Sequence, residues 1–218
     1  MILHMSSLSL KTLSLAVLLM AASAAQADIT VYTNQSAYLA AVGNTGVDSY
    51  DDLPIDSVDG PLARTAGAYN YVASSGPASP ILYGAGEGGD NWLTANARRD
   101  TITFDGFSSG VRGVGGFFFG SNLFGDYTYS DTITLTATDA QGHFVSYDLD
   151  VPDRSSFLGF VSTDDFTQVT LAAGDQPGVW ATANDLHLSV SAVPEPGTYA
   201  MLLAGLGLLG FMSRRRTV

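Results

Sequence analysis

Apolar and polar positions alternate in short runs along the middle of this chain. Ile29 to Thr33 alternates and is rich in β-branched residues, which predicts a strand. Asn34 suits an N-cap, so a short helix is predicted over Gln35 to Val42, ended by Gly43. It is the one substantial helix expected in the exported domain. Tyr50 to Ile55 predicts a second strand, and Asp56 to Arg64 a loop. Tyr69 to Ala73 predicts a strand, Ser74 to Pro80 a loop, and Ile81 to Tyr83 a short strand. Gly84 to Gly89 is read as a mobile surface loop, since a phosphate loop would need a following Lys-Ser/Thr and a helix.

The second half of the domain is more regular. Thr101 to Phe104 alternates, with Phe104 inward. Val111 to Gly120 is apolar on both faces and predicts a central strand whose glycines allow close backbone approach. From Asp131 to Thr138 the residues Ile133, Leu135 and Ala137 share one face, and Thr132, Thr134, Thr136 and Thr138 the other. Asp139 to Gly142 turns the chain and His143 to Val151 returns it as a hairpin. Phe157 to Val161, Phe166 to Leu171 and Leu186 to Ala192 follow as strands, with Val179-Trp180 a shorter one. About ten short strands and one helix predict an all-β fold, an antiparallel β-sandwich of jelly-roll-like arrangement.

The pattern changes at both ends. Lys11, an apolar run from Thr12 to Met20 and a small-residue stretch form a secretory signal over residues 1–27, with cleavage expected at Ala25-Gln26-Ala27. At the other end, Pro194-Glu195-Pro196 gives a stiff, extended segment. An uncharged run over 198–212 follows, then Arg214-Arg215-Arg216. Pro196 to Met212 would span about 25 Å as a helix, the short end of what crosses a bilayer. The arginines mark its cytoplasmic flank, which leaves residues 28–193 outside. Gly205 to Gly210 fits G-x-G-x-x-G, but inside a terminal apolar run its glycines read as a packing face and not as a nucleotide site.

Pro-Glu-Pro, the apolar run and the arginines, in that order, resemble the PEP-CTERM sorting signal. The resemblance implies processing by exosortase, transient anchoring in the inner membrane of a Gram-negative bacterium, and association with exopolysaccharide and biofilm. Signal peptidase would act at the other end. The order of the Phe-rich strand, the Thr-rich hairpin and the last strand is similar to jelly-roll or lectin-like ectodomains of that class.

Composition then narrows the chemistry. The whole chain carries −12, and residues 28–193 hold 20 acidic residues against five arginines, about −15. Such a surface repels nucleic acid and anionic lipid and attracts divalent cations. With no cysteine there is neither a disulfide nor a thiolate nucleophile. His143 and His187 are read as solvent-facing strand residues without metal-site neighbours. No G-x-S-x-G or H-E-x-x-H motif occurs, so no catalytic residue and no metal ligand set is assigned. Asp51-Asp52 and Asp164-Asp165 are carboxylate pairs without a setting that would raise a pKa. A structural calcium would use Asn184-Asp185, Asp126 or Asp131. Trp92, Tyr127 and Tyr129 would stack on sugars if they face solvent, although core packing accounts for them equally well. Two classes remain open: a non-enzymatic surface or matrix protein, and a calcium-stabilised carbohydrate-binding module. An extracellular hydrolase would require two carboxylates converging in a cleft.

Overall fold

A computed structural model describes residues 29–191 together with residues 205 and 206, which are helical. The signal cleavage residues Ala25 and Ala27, the motif Pro194-Glu195-Pro196 and the arginines Arg214, Arg215 and Arg216 lie outside the described residues, as does most of the predicted segment 198–212.

The chain enters through β1 (Thr30–Tyr32). The side chain of Asn34 then accepts from the Ala37 amide at 3.0 Å and caps α1 (Gln35–Ala41). Gly43 does not end this helix. Val42 is already extended at φ −115° and opens β2 (Val42–Asp48), a strand that alternation did not reveal because three of its seven residues are Gly or Asn. Tyr50 to Ile55 is a turn, not a strand: Tyr50 sits at φ +63° and reverses the chain. Two strands occupy the span read as a loop, β3 (Ser57–Val58) and β4 (Leu62–Ala66). They are short edge strands with little apolar periodicity.

β5 (Tyr69–Gly76) pairs with β4. The glycine-rich segment is likewise ordered, as β6 (Leu82–Glu87) turning at Gly88-Gly89 into β7 (Asp90–Ala95). Its glycines reflect crowding, since a Cβ on Gly84 would stand 2.0 Å from the Pro54 carbonyl oxygen. β8 (Thr101–Asp105) and β9 (Val111–Ser121) match the sequence reading, with Phe104 buried and β9 enclosed along most of its length. After β10 (Tyr127–Thr128), the hairpin of β11 (Thr132–Asp139) and β12 (Phe144–Asp150) buries Ile133, Leu135 and Ala137 as expected. β13 (Phe157–Val161) and β14 (Phe166–Ala172) follow. The two last predicted strands are one, β15 (Trp180–Ser191), with a register shift between Asn184 and His187 that hides its continuity in the sequence.

All pairings are antiparallel and form two sheets. One has β1-β13-β9-β15-β7-β6-β3 in order, with β10 on β9 and β2 on β15. The other runs β12-β11-β14-β8-β5-β4. From β8 onward the chain crosses repeatedly between sheets, a jelly-roll-like sandwich. One continuous apolar core fills the space between them, including Leu93, Phe104, Phe118, Phe160, Leu171 and Leu188. A smaller cluster of Tyr38, Val42 and Phe157 seats α1 on the outer face of the first sheet.

A polar clasp ties the sheets together at β2 and β4. Asp48 on β2 accepts from Arg64 Nε at 2.8 Å and Nη2 at 2.5 Å, and from the Tyr71 hydroxyl at 2.8 Å. The Tyr71 hydroxyl also lies within hydrogen-bond distance of the Tyr50 hydroxyl, at 2.9 Å. The Asp48 and Arg64 side chains are only 4% and 11% exposed, whereas Asp52, the second partner of Arg64, is 70% exposed. Burial pushes Tyr50 and Tyr71 well above the ordinary tyrosine range. Burial alone would lower the Arg64 guanidinium, but its bonds to Asp48 and Asp52 carry it above its usual value.

A cleft at the end of the sandwich remote from the tail

The register of the first sheet fixes its two ends. At one end Thr30 pairs with Val161, Val161 with Gly113, Gly113 with Ser189 and Ser189 with Thr45. The start of β1 and the exit of β15 toward residue 192 therefore share one pole. Trp180, at the start of β15, pairs with Ser121, which also pairs with Tyr127. Trp180 and Ser191 are separated by a strand of 12 residues, about 35 Å.

At this far pole lies a cleft of about 160 Å³ between Tyr83 on β6, Thr94 and Ala95 on β7, Asn96, Trp180, and the β9–β10 turn with Asn122, Leu123 and Gly125. Trp180 and Tyr83 are half-buried. Trp180 Nε1 donates to the Asn96 carbonyl at 3.2 Å and Thr94 Oγ1 to the Ala181 carbonyl at 3.0 Å, which fixes these two walls. The Tyr83 hydroxyl makes no hydrogen bond among the described residues.

The turn above the cleft is held from within and from below. Asn122 Oδ1 accepts from the amides of Phe124 at 2.8 Å and Asp126 at 3.1 Å, and the Asn122 amide donates to the Asp126 carbonyl at 2.8 Å. Trp92, fully buried, donates Nε1 to the Gly125 carbonyl at 3.0 Å. It packs edge-on to Phe119 and lies under the Arg154 guanidinium. Trp92 thus supports the turn and offers no face to a ligand, contrary to the exposure considered for it. Tyr127 is half-buried, and Tyr129 is exposed. Carried on this braced turn, Leu123 and Phe124 are 73% and 81% exposed. Sequence reasoning missed the cleft because its walls come from four separate segments, and Leu123-Phe124 resembles any short apolar pair.

The second hollow, about 450 Å³, is lined by Asp52, Ala63, Arg64, Thr65, Asn70, Tyr71, Val72 and Gly106. Its charged groups belong to the Asp48–Arg64 clasp.

The remaining candidates are dispersed. Among the described residues no three His, Cys, Asp or Glu side chains are grouped to hold a metal ion. Asn184 donates to Asp90 at 2.9 Å in the middle of β15, while Asp126 and Asp131 lie toward the Trp180 end. Asp52 is held below the ordinary carboxylate range by Arg64, and Asp165 by the Gly110 amide and Arg112. Asp185 moves upward, through burial and then the nearby Asp90 and Asp51 charges, against the lowering effect of His187. It lines neither hollow.

His143 stands at the β11–β12 turn beside Asp139, with Nδ1 3.3 Å from Oδ2. His187 does not face solvent. It is 3% exposed, surrounded by Tyr38, Phe117 and Phe157, with Nδ1 2.5 Å from the Asp185 carbonyl and Nε2 3.1 Å from the Gln35 side-chain nitrogen. Burial pushes its pKa below 6.5, against the raising effects of the Asp185 carbonyl bond and carboxylate. The unfolded chain then takes up this proton more readily, so stability present above pH 6.5 is lost as pH falls below it. We expect a lower Tm at about pH 5.5 than at about pH 7.5, and a smaller drop in His187→Gln. An equal drop in both proteins would place the acid sensitivity elsewhere.

Residues 192–216 match the family model of the PEP-CTERM protein-sorting motif, as the tail itself suggested. No curated protein matches the chain. Among solved structures, the carbohydrate-binding module TmCBM61 in complex with β-1,4-galactotriose is similar at 12% identity, over 56% of this chain and 88% of that one, with a TM-score of 0.29. A likeness that distant bears on neither ligand nor site.

Proposed function

We propose that this chain, which carries a PEP-CTERM sorting motif at residues 192–216, is an exported, non-catalytic protein of the cell surface or extracellular matrix that works with extracellular polysaccharide. The motif implies exosortase processing, export and transient anchoring at the C-terminus. In our reading, signal peptidase removes residues 1–27 after Ala27. The apolar segment 198–212 then holds the protein in the inner membrane of a Gram-negative cell with Arg214, Arg215 and Arg216 in the cytoplasm. Exosortase acts at Pro194-Glu195-Pro196.

The observation that carries this reading is the junction at Ser191. The described pairings of β15 to β9, β7 and β2 all lie before residue 192, where the motif begins, so a cut within the motif leaves them in place. The carboxylates support a non-catalytic role. Asp52 and Asp165 are stabilised in their charged forms, the opposite of what a general acid needs, and the raised Asp185 opens onto neither hollow.

Replacing Pro194, Glu195 and Pro196 together with alanine, in a host carrying exosortase, should leave an uncut protein in the inner-membrane fraction and deplete it from the washed polysaccharide fraction. Unchanged size and location in the variant would reject sorting through the motif. Normal processing of the wild type without its recovery in the polysaccharide fraction would reject the matrix association.

A further inference from the structure

We infer that the cleft between Tyr83, Trp180 and the Asn122–Gly125 turn is a binding site for a neutral glycan segment, presented at the pole opposite the sorting tail. The inference rests on the surface-protein reading and assigns it a site.

The chemistry of the walls selects the ligand. A pyranose ring has an apolar C–H face and a rim of hydroxyls. Trp180 and Tyr83 offer aromatic surface to the first, and Leu123 extends that surface at the mouth. Asn96, Asn122 and the Tyr83 hydroxyl offer donors and acceptors to the second. Asn122 spends its Oδ1 on the turn, and its Nδ2 makes only a long 3.5 Å contact to Asp126, so this amide retains a donor for a ligand.

Charge narrows the class further. No lining residue is charged, within a domain carrying about −15. Arg98 and Arg99, which follow Asn96 closely in the chain, are both committed to Asp175, at 2.9 and 2.7 Å, and Arg154, over Trp92, is paired with Glu87 and Asp90. A uronate-bearing polymer would meet repulsion without a compensating cation. The volume of about 160 Å³ suits one sugar ring, with flanking rings passing over Leu123 and Phe124. The backbone that carries them is already held by Asn122 and by Trp92 beneath Gly125, so little backbone freedom remains to be lost on binding.

The protein has two tryptophans, and Trp92 is fully buried, so emission changes on sugar binding report Trp180. The full chain in detergent should be titrated with neutral hexose and N-acetylhexosamine trisaccharides of α and β linkage, with a trigalacturonate, and with an uncharged peptide. A neutral trisaccharide should shift the emission saturably. Calorimetric affinity for it should fall at least tenfold in Trp180→Ala and severalfold in Asn122→Ala, with melting curves close to wild type. If either variant is unstable, Tyr83→Phe supplies the same test, with an affinity loss expected.

Silence toward every neutral trisaccharide would overturn the site, as would preference for the uronate, binding of the peptide alone, or affinity untouched in all three variants. A chain that fails these titrations yet is still cut at its tail and recovered with polysaccharide would lose the cleft and keep the surface role. Loss of both would remove the broader reading.

Discussion

Gly46→Ala is expected to destabilise the protein by about 3–5 kcal/mol, against a total stability on the order of 5–15 kcal/mol. A Cβ at this position would stand 2.0 Å from the Ala66 carbonyl oxygen and 2.9 Å from Gly67 Cα. All of these obstacles are backbone, so no side chain can rotate away. Gly67 is equally constrained, at φ +58° with its own Cβ position 2.8 Å from Gly46 Cα. At this point β2 of one sheet crosses the end of β4 of the other. Alanine would have to push the sheets apart beside the Asp48–Arg64 clasp. A fall of about 10 °C or more in Tm is the expected result in a protein of this size. A near wild-type melt would show that the crossing is looser than described.

The clasp itself should respond in a way that separates charge from contact. Asp48→Ala removes the acceptor of two Arg64 bonds and of the Tyr71 hydroxyl in a buried setting, and should cost about 3–5 kcal/mol. Arg64→Met leaves the Asp48 carboxylate buried with Tyr71 and the Tyr50 amide as its remaining donors, and should cost a similar amount. The double variant Asp48→Ala/Arg64→Met should lose clearly less than the sum of the two, because neither charge is then left alone. Denaturant unfolding of the four proteins measures this coupling. Strict additivity would mean that the two groups act independently despite their 2.5 Å contact.

Much of the second half of the domain could be read directly from alternation. Ile133, Leu135 and Ala137 face the core because β11 has one wet face, and β9 runs apolar because it is enclosed. The first half was less legible for physical reasons. β2 spends residues on glycine where backbone must approach backbone, so Gly46 erases the period that would mark a strand. Tyr50 looks like a strand residue by type, but its left-handed conformation is held by burial and by the Tyr71 hydroxyl, contacts distant in sequence. His187 looks solvent-facing, and Trp92 is left open between solvent and core, because nothing local records the layers that cover them, namely the β9–β10 turn and Arg154 over Trp92, and Tyr38 of α1 beside His187. The tail was the reverse case, since a sorting motif is linear and needs no tertiary partner to be recognised.

The placement of the cleft and the tail at opposite ends of β15 has a mechanical consequence. When a ligand tugs on Trp180 while the chain is held beyond Ser191, the force runs lengthwise along the strand. The load then passes along the covalent backbone of one already extended strand, and the rungs that join β15 to β9, β7 and β2 carry little of it. Traction between Ile29 and Ser191 would instead open β1 from its rim, rung by rung, because both handles leave the same pole and the pull runs across the strands. A tethered protein gripping a polymer through Trp180 would therefore bear the pull on one covalent strand, with the sandwich around it largely unloaded.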